Sequence, residues 1–117
     1  MNQVNDTINF ESITKRCRNL DPKDLMALLR SNFRKFICWG AEGFTIDNKK
    51  NCRMFRMTVN GHLHKGFVYI FVNGADLFDV YLTTKQGVIT KIQTDLYFDM
   101  LVDWIDDNIE KIPSYRF

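Results

Sequence analysis

Residues 55–92, FRMTVNGHLHKGFVYIFVNGADLFDVYLTTKQGVITKI, set apolar runs between three turn signals: Asn60-Gly61, Asn73-Gly74 and Lys85-Gln86-Gly87. Short apolar runs broken by such turns spell an antiparallel meander. Phe67–Val72 is apolar at every position, which suits a central strand covered on both sides. Asn60-Gly61 poses a register question. A two-residue loop would set His62 opposite Val59 and His64 opposite Met57, mixing imidazoles with the apolar side. A bulge at Gly61 pairs Met57 with Leu63 instead and places both histidines on the wetter face, so this register is preferred. A four-residue loop, Asn73–Asp76, then sets Phe71 and Tyr69 facing Phe78 and Val80. Val88, Thr90 and Ile92 form the last strand, and Phe44 and Ile46 an added short one.

Helical signals flank this block. Phe10, Ile13, Cys17 and Leu20 recur at helical spacing behind a capping Asn9, predicting a short helix that ends near Asn19. Asp21 as cap, Pro22 at the first position and Asp24 in the capping-box place open a firmer helix, Pro22–Trp39, stopped by Gly40. Leu25, Leu28, Leu29, Phe33, Phe36 and Trp39 form its apolar stripe. A last helix, Asp95–Lys111 behind Thr94, buries Phe98, Leu101, Trp104, Ile105, Ile109 and Ile112. The tail from Pro113 carries Tyr115 and Phe117, aromatics suited to tuck against the body.

The expected architecture is an α+β domain over residues 9–117, preceded by a loose polar arm, residues 1–8. A three- to four-stranded antiparallel sheet carries both long helices on one face, over Phe55, Met57, Tyr69, Phe71, Phe78 and Val80. The other face, with Val68, Ile70, Val72, Leu77 and Tyr81, is too apolar to stay wet. The N-terminal arm could cover it, but a homodimer is the simpler way to hide a patch of that size.

Composition narrows the class. At 117 residues the chain is one domain's length, and 45% apolar with 26% charged residues is ordinary globular usage. Three widely spaced cysteines without a CxxC pair read as reduced thiols, which favours the cytoplasm. Neither a secretory leader nor a membrane-length apolar run is read from the residues. Net charge is +2, but residues 1–58 hold 11 Lys/Arg against 6 Asp/Glu and residues 59–117 hold 5 against 8. The two halves attract each other within one fold, or else form separate surfaces for separate partners.

The clearest polar pattern lies on the last helix. Asp95, Asp99, Asp103 and Asp107 recur every four residues, with Asp106 and Glu110 alongside. Such like-charge pairs cost roughly 0.2–0.5 kcal/mol each when exposed, so the spacing asks for a reason. A solvated face is the bland one. A docking face for a basic protein partner, using Asp99, Asp103, Asp106, Asp107 and Glu110, is the sharper one. Metal is disfavoured, because a straight helix fans these carboxylates along ~18 Å instead of converging them.

Other constellations carry less. His62 and His64 share a strand face in the preferred register, but their neighbours Arg56 and Thr58 are poor metal ligands, and Cys52 lies farther along. Asp76 and Asp79 could serve a hydrolase only if a fold converged them; Asp76 is better read as a turn residue. Neither GxGxxG nor GxxxxGK[ST] occurs, so no nucleotide cofactor is indicated. Lys15, Arg16 and Arg18, together with Arg34, Lys35, Lys49, Lys50, Arg53 and Arg56, could assemble a basic patch beside Phe44 or Phe55 for a phosphate backbone. The strands nevertheless lack an RNP-type motif, and the acidic helix would repel DNA. The reading is therefore a protein-interaction module without catalytic residues, metal or cofactor. Nucleic-acid binding through Arg34, Lys35, Lys49, Lys50, Arg53 and Arg56 is the first alternative and a cryptic hydrolase the second.

Overall fold

The structure, a computed structural model, describes residues 6–110. Five strands follow one another across a single antiparallel sheet: β1 Glu42–Ile46, β2 Phe55–Asn60, β3 Lys65–Val72, β4 Phe78–Thr83 and β5 Ile89–Leu96. Helices α1 Phe10–Thr14, α2 Pro22–Arg30 and α3 Phe33–Cys38 precede it, and α4 Phe98–Ile109 closes it. The fold is α+β with an antiparallel sheet, but five strands replace the expected three or four. The last strand runs on to Leu96 and takes Thr94 and Asp95 from the expected helix. The added first strand pairs with β2 through Thr45↔Arg56 and Ile46↔Phe55.

The expected long second helix is two helices. Asn32 Oδ1 accepts from the Lys35 N–H at 3.3 Å and Ser31 Oγ donates to the Leu28 carbonyl at 2.6 Å. Two adjacent polar side chains thus end one helix and cap the next, in place of a continuous ladder. Asp21 Oδ1 caps α2, accepting from Lys23 N at 2.9 Å, with Pro22 in the first turn where its missing donor costs nothing.

Helices α2, α3 and α4 share one sheet face. Leu25, Leu29, Phe36, Trp39, Leu101, Ile105 and Ile109 meet Phe55, Met57, Val59, Val68, Ile70, Val80 and Leu82 there. The other face packs Tyr69, Phe71, Tyr81 and Ile89 against Ile13 of α1, with Ile8 and Cys17 beside them. The central strand is therefore inverted relative to expectation: Val68 and Ile70 lie under the helices, whereas Tyr69 and Phe71 lie under α1. The apolar face that called for a homodimer is covered within the chain.

Two register shifts produce the inversion. Asn60 pairs with Lys65 and Met57 with Val68, not with Leu63. On the other side Val72 pairs with Phe78 and Ile70 with Val80, so Leu77 belongs to the loop. Each departs from the expected pairing by an odd number of residues, which flips every β3 side chain. The two flips cancel for β4, and Val80 still shares a face with Met57.

Local bonds explain both loops. Asn73 Oδ1 accepts from Ala75 N at 2.9 Å and Leu77 N at 3.2 Å, closing a five-residue loop with Asp76 at φ +67°. In the other hairpin, Leu63 N donates to the Ile109 carbonyl at 2.7 Å. A Cβ on Gly61 would collide with Ile109, so the hairpin is clamped to the end of α4. Residues 6–8, expected as part of a loose arm, meet the start of β5, where Ile8 N donates to Gly87 O at 2.8 Å. Residues 1–5 and the tail from 111 onward, with its expected aromatic tuck, lie outside the described residues. Among the described residues no helix is long and apolar enough to cross a membrane.

Candidate functional site

The most site-like surface is an apolar groove between α2 and β1. Lys23, Met26, Ala27 and Arg30 recur at helical spacing and border it on one side. Phe44, Ile46 and Phe55 form its floor, and its volume is about 500 Å³. Pro22, Lys23 and Ile46 lead into a second recess bounded by Lys49 and Lys50, with Asp21 and Leu20 on its other side. Phe44 lies 6.0 Å from Phe55 and stacks on Phe36 at 6.4 Å. It remains 39% exposed, because β1 is an edge strand with no neighbour beyond it.

Four cations rim these recesses. Lys23, Arg30, Lys49 and Lys50 are exposed, and no salt bridge engages them among the described residues. The Arg30 guanidinium stands 5.6 Å from the Phe36 ring, held beside the apolar floor. Elsewhere on α3, Phe33 is 63% exposed and shares a face with exposed Ile37. The ladder of β1 is broken between Glu42 and Thr45, with Gly43 at φ +60°. A bulged edge resists addition of a further strand. The groove thus offers apolar contact to a side chain at its floor and positive charge at its edge.

The acids of α4 occupy several environments. Asp95 is not on the helix at all; it is the penultimate residue of β5, at φ +58°. Asp106 is buried and accepts from the Trp39 indole at 3.1 Å. Asp103 bridges to Lys35 at 2.8 Å. Glu110 Oε2 accepts from His62 N at 2.7 Å. Asp99 and Asp107 are exposed.

The basic candidates are likewise dispersed. Arg34 and Lys35 sit on α3, and Arg53 Nε donates to Asn19 Oδ1 at 3.2 Å. Arg56 lies on the α1 side of the sheet, 4.4 Å over the Phe67 ring. Only Lys49 and Lys50 of that set come near the groove, bordering the second recess beside it. Phe44, expected beside a basic patch, does lie in the groove, whereas its cationic neighbours Lys23 and Arg30 are not among the expected candidates. The spacing of Lys23, Ala27 and Arg30 was a usable signal, but nothing local reveals that Phe44 would form the facing wall.

His62 and His64 lie in the β2–β3 loop, not on a strand face. Burial lowers the His64 pKa, while hydrogen bonds to the Phe67 and Thr83 carbonyls oppose the change. No group of three metal-ligating side chains occurs among the described residues. A polar cluster at the opposite end of the sheet braces the β3–β4 loop: Asn73 Nδ2 donates to Asp79 Oδ1 at 2.8 Å and Asp95 Oδ1 at 2.7 Å. Nearby Cys17 has its thiol pKa raised, first by burial and then by Asp79. Burial also raises the Cys38 and Cys52 thiols, which favours their protonated form. All three are free thiols.

No protein-family model matches the chain, and no curated protein or solved structure matches it either.

Proposed function

We propose that this protein is a protein-interaction module whose docking surface is the α2–β1 groove. Its ligand is a partner segment that combines large apolar side chains with acidic ones. One observation carries the reading: an apolar floor of Phe44, Ile46 and Phe55 is bordered by Lys23 and Arg30, and the recess adjoining it across Ile46 carries Lys49 and Lys50 against a single carboxylate, Asp21. The volume falls within the ~300–1,000 Å³ of small-ligand pockets, enough to seat an aromatic anchor. The cations steer an acidic partner and fix its orientation, while the floor supplies the apolar contact. A nucleic-acid strand would find the same charge, but the other cations proposed for it are scattered over α3 and both sides of the sheet.

A fluorescent peptide of about twelve residues alternating Asp with Phe and Leu tests this by anisotropy. Binding should fall ~10-fold or more in Lys49→Glu/Lys50→Glu and weaken with added salt. Amide shifts should map to α2 and β1. Binding indifferent to that variant defeats the reading. Displacement of the peptide by a single-stranded oligothymidylate at equal concentration replaces it with the nucleic-acid alternative.

A further inference from the structure

The chain itself bears a segment with the chemistry the groove selects. At the junction of β5 and α4, Tyr97, Phe98 and Met100 are all exposed, and Phe98, at 70%, is the most exposed large apolar side chain among the described residues. Exposed Asp95 and Asp99 flank it. Isolated exposed apolar residues are common on soluble proteins, but here Tyr97 and Met100, three positions apart, share one side of the helix start and Phe98 stands out beside them with carboxylates at Asp95 and Asp99.

This protrusion is held firmly. Leu96 and Leu101 on either side of it are buried in the helix-side core. Asp95 N donates to Asp79 Oδ1 at 3.0 Å, and Met100 N donates to the Tyr97 carbonyl at 2.9 Å. A preformed knob loses little conformational entropy on docking. It cannot reach its own groove. Phe98 borders α2 on the side of Asp24 and Leu28, whereas Lys23, Met26, Ala27 and Arg30 face the groove on the other side.

We propose that the groove's occupant is a second copy of this chain: Tyr97–Met100 of one molecule docks between α2 and β1 of another. Phe98 enters over Phe44 and Ile46, and Asp99 and Asp95 meet the cationic rim. The proposal rests on the groove reading above. Knob and groove are different patches, so the contact is heterologous. It closes when two copies exchange knobs or when successive copies complete a ring, and otherwise extends from copy to copy.

Sedimentation over about 1–500 μM, at low and high salt, reads the association directly. Wild type should self-associate, and about tenfold more salt should weaken it measurably. Phe98→Ser removes the knob, and Lys23→Glu/Ala27→Glu blocks the groove. All three positions are exposed, so circular dichroism and urea midpoints should stay near wild type. Each variant alone should be monomeric. An equimolar mixture should give one-to-one pairs and nothing larger, because each partner retains one competent patch. A monomeric wild type at the highest concentration overturns self-docking, as does association unchanged by Phe98→Ser. If the acidic probe peptide still binds in either case, the groove reading stands and only the identity of its occupant is refuted. If the peptide fails as well, both are refuted.

Discussion

The Trp39 indole donates to Asp106 Oδ1 at 3.1 Å, and both residues are buried between α3 and α4. A carboxylate removed from water requires compensating donors, so this bond costs much more to break than a surface contact. Trp39→Phe should therefore lower stability by about 1.5–3 kcal/mol through the lost bond, with the smaller ring adding to it. Lys35→Ala, which breaks the partly exposed pair with Asp103, should cost less than ~1 kcal/mol. Urea titration of both variants gives the comparison. Equal effects would show that the buried bond is no stronger a tie than the surface one.

Phe71 is fully buried against α1, in the cluster that includes Ile13. Phe71→Ala should cost ~3–5 kcal/mol. Its coupling also tests the inverted central strand. A double-mutant cycle should give at least ~0.5 kcal/mol between Phe71 and Ile13, and near zero between Phe71 and Leu29, which lies in the opposite layer. The reverse ordering would restore the pairing expected from sequence.

Much of this fold was legible where a single residue decides the local outcome. Asp21-Pro22 opens a helix, and the unbroken apolar run Phe67–Val72 is the doubly covered centre of the sheet. Register was not legible, because distant groups set it: the Ile109 carbonyl holds Leu63, and Asn73 draws Leu77 into its loop. Ser31-Asn32 looked like an ordinary helical stretch but carries its own stop and start. The acidic pattern of α4 was visible, yet its division was not, since Trp39, Lys35 and His62 approach from elsewhere in the chain. The groove was hidden for the same reason. Its two walls are α2 and β1, and only the folded chain brings Phe44 beside Met26.

His64 offers a pH test. Its folded pKa lies below the ordinary 6.5, chiefly because burial disfavours the charged ring. The unfolded chain therefore binds the proton more readily, and stability contributed by the neutral ring is present above pH 6.5. It is lost as pH falls through that value toward the lower folded pKa. His64→Gln removes this titration. The drop in urea midpoint between about pH 7.5 and pH 5.5 should be smaller in the variant than in wild type. Identical drops would assign the pH dependence to other groups.

Two acids near the end of α4 should respond with opposite signs. Asp107 is exposed four residues from Asp103, and it sits in the last turn, where the helix dipole disfavours negative charge. Its attraction to the Lys35 ammonium offsets part of this, so Asp107→Asn should raise stability only slightly, by about 0.2 kcal/mol. Glu110 feels the same dipole but accepts from His62 N at 2.7 Å, holding the β2–β3 loop against the helix end. Glu110→Ala removes that acceptor and should cost about 1 kcal/mol, with faster amide exchange at His62 and Leu63. Urea midpoints moving the same way in both variants, without a change in exchange at the loop, would mean that the two carboxylates act alike as a solvated surface. Opposite shifts would identify Glu110 as a clasp and leave Asp107 as surface charge.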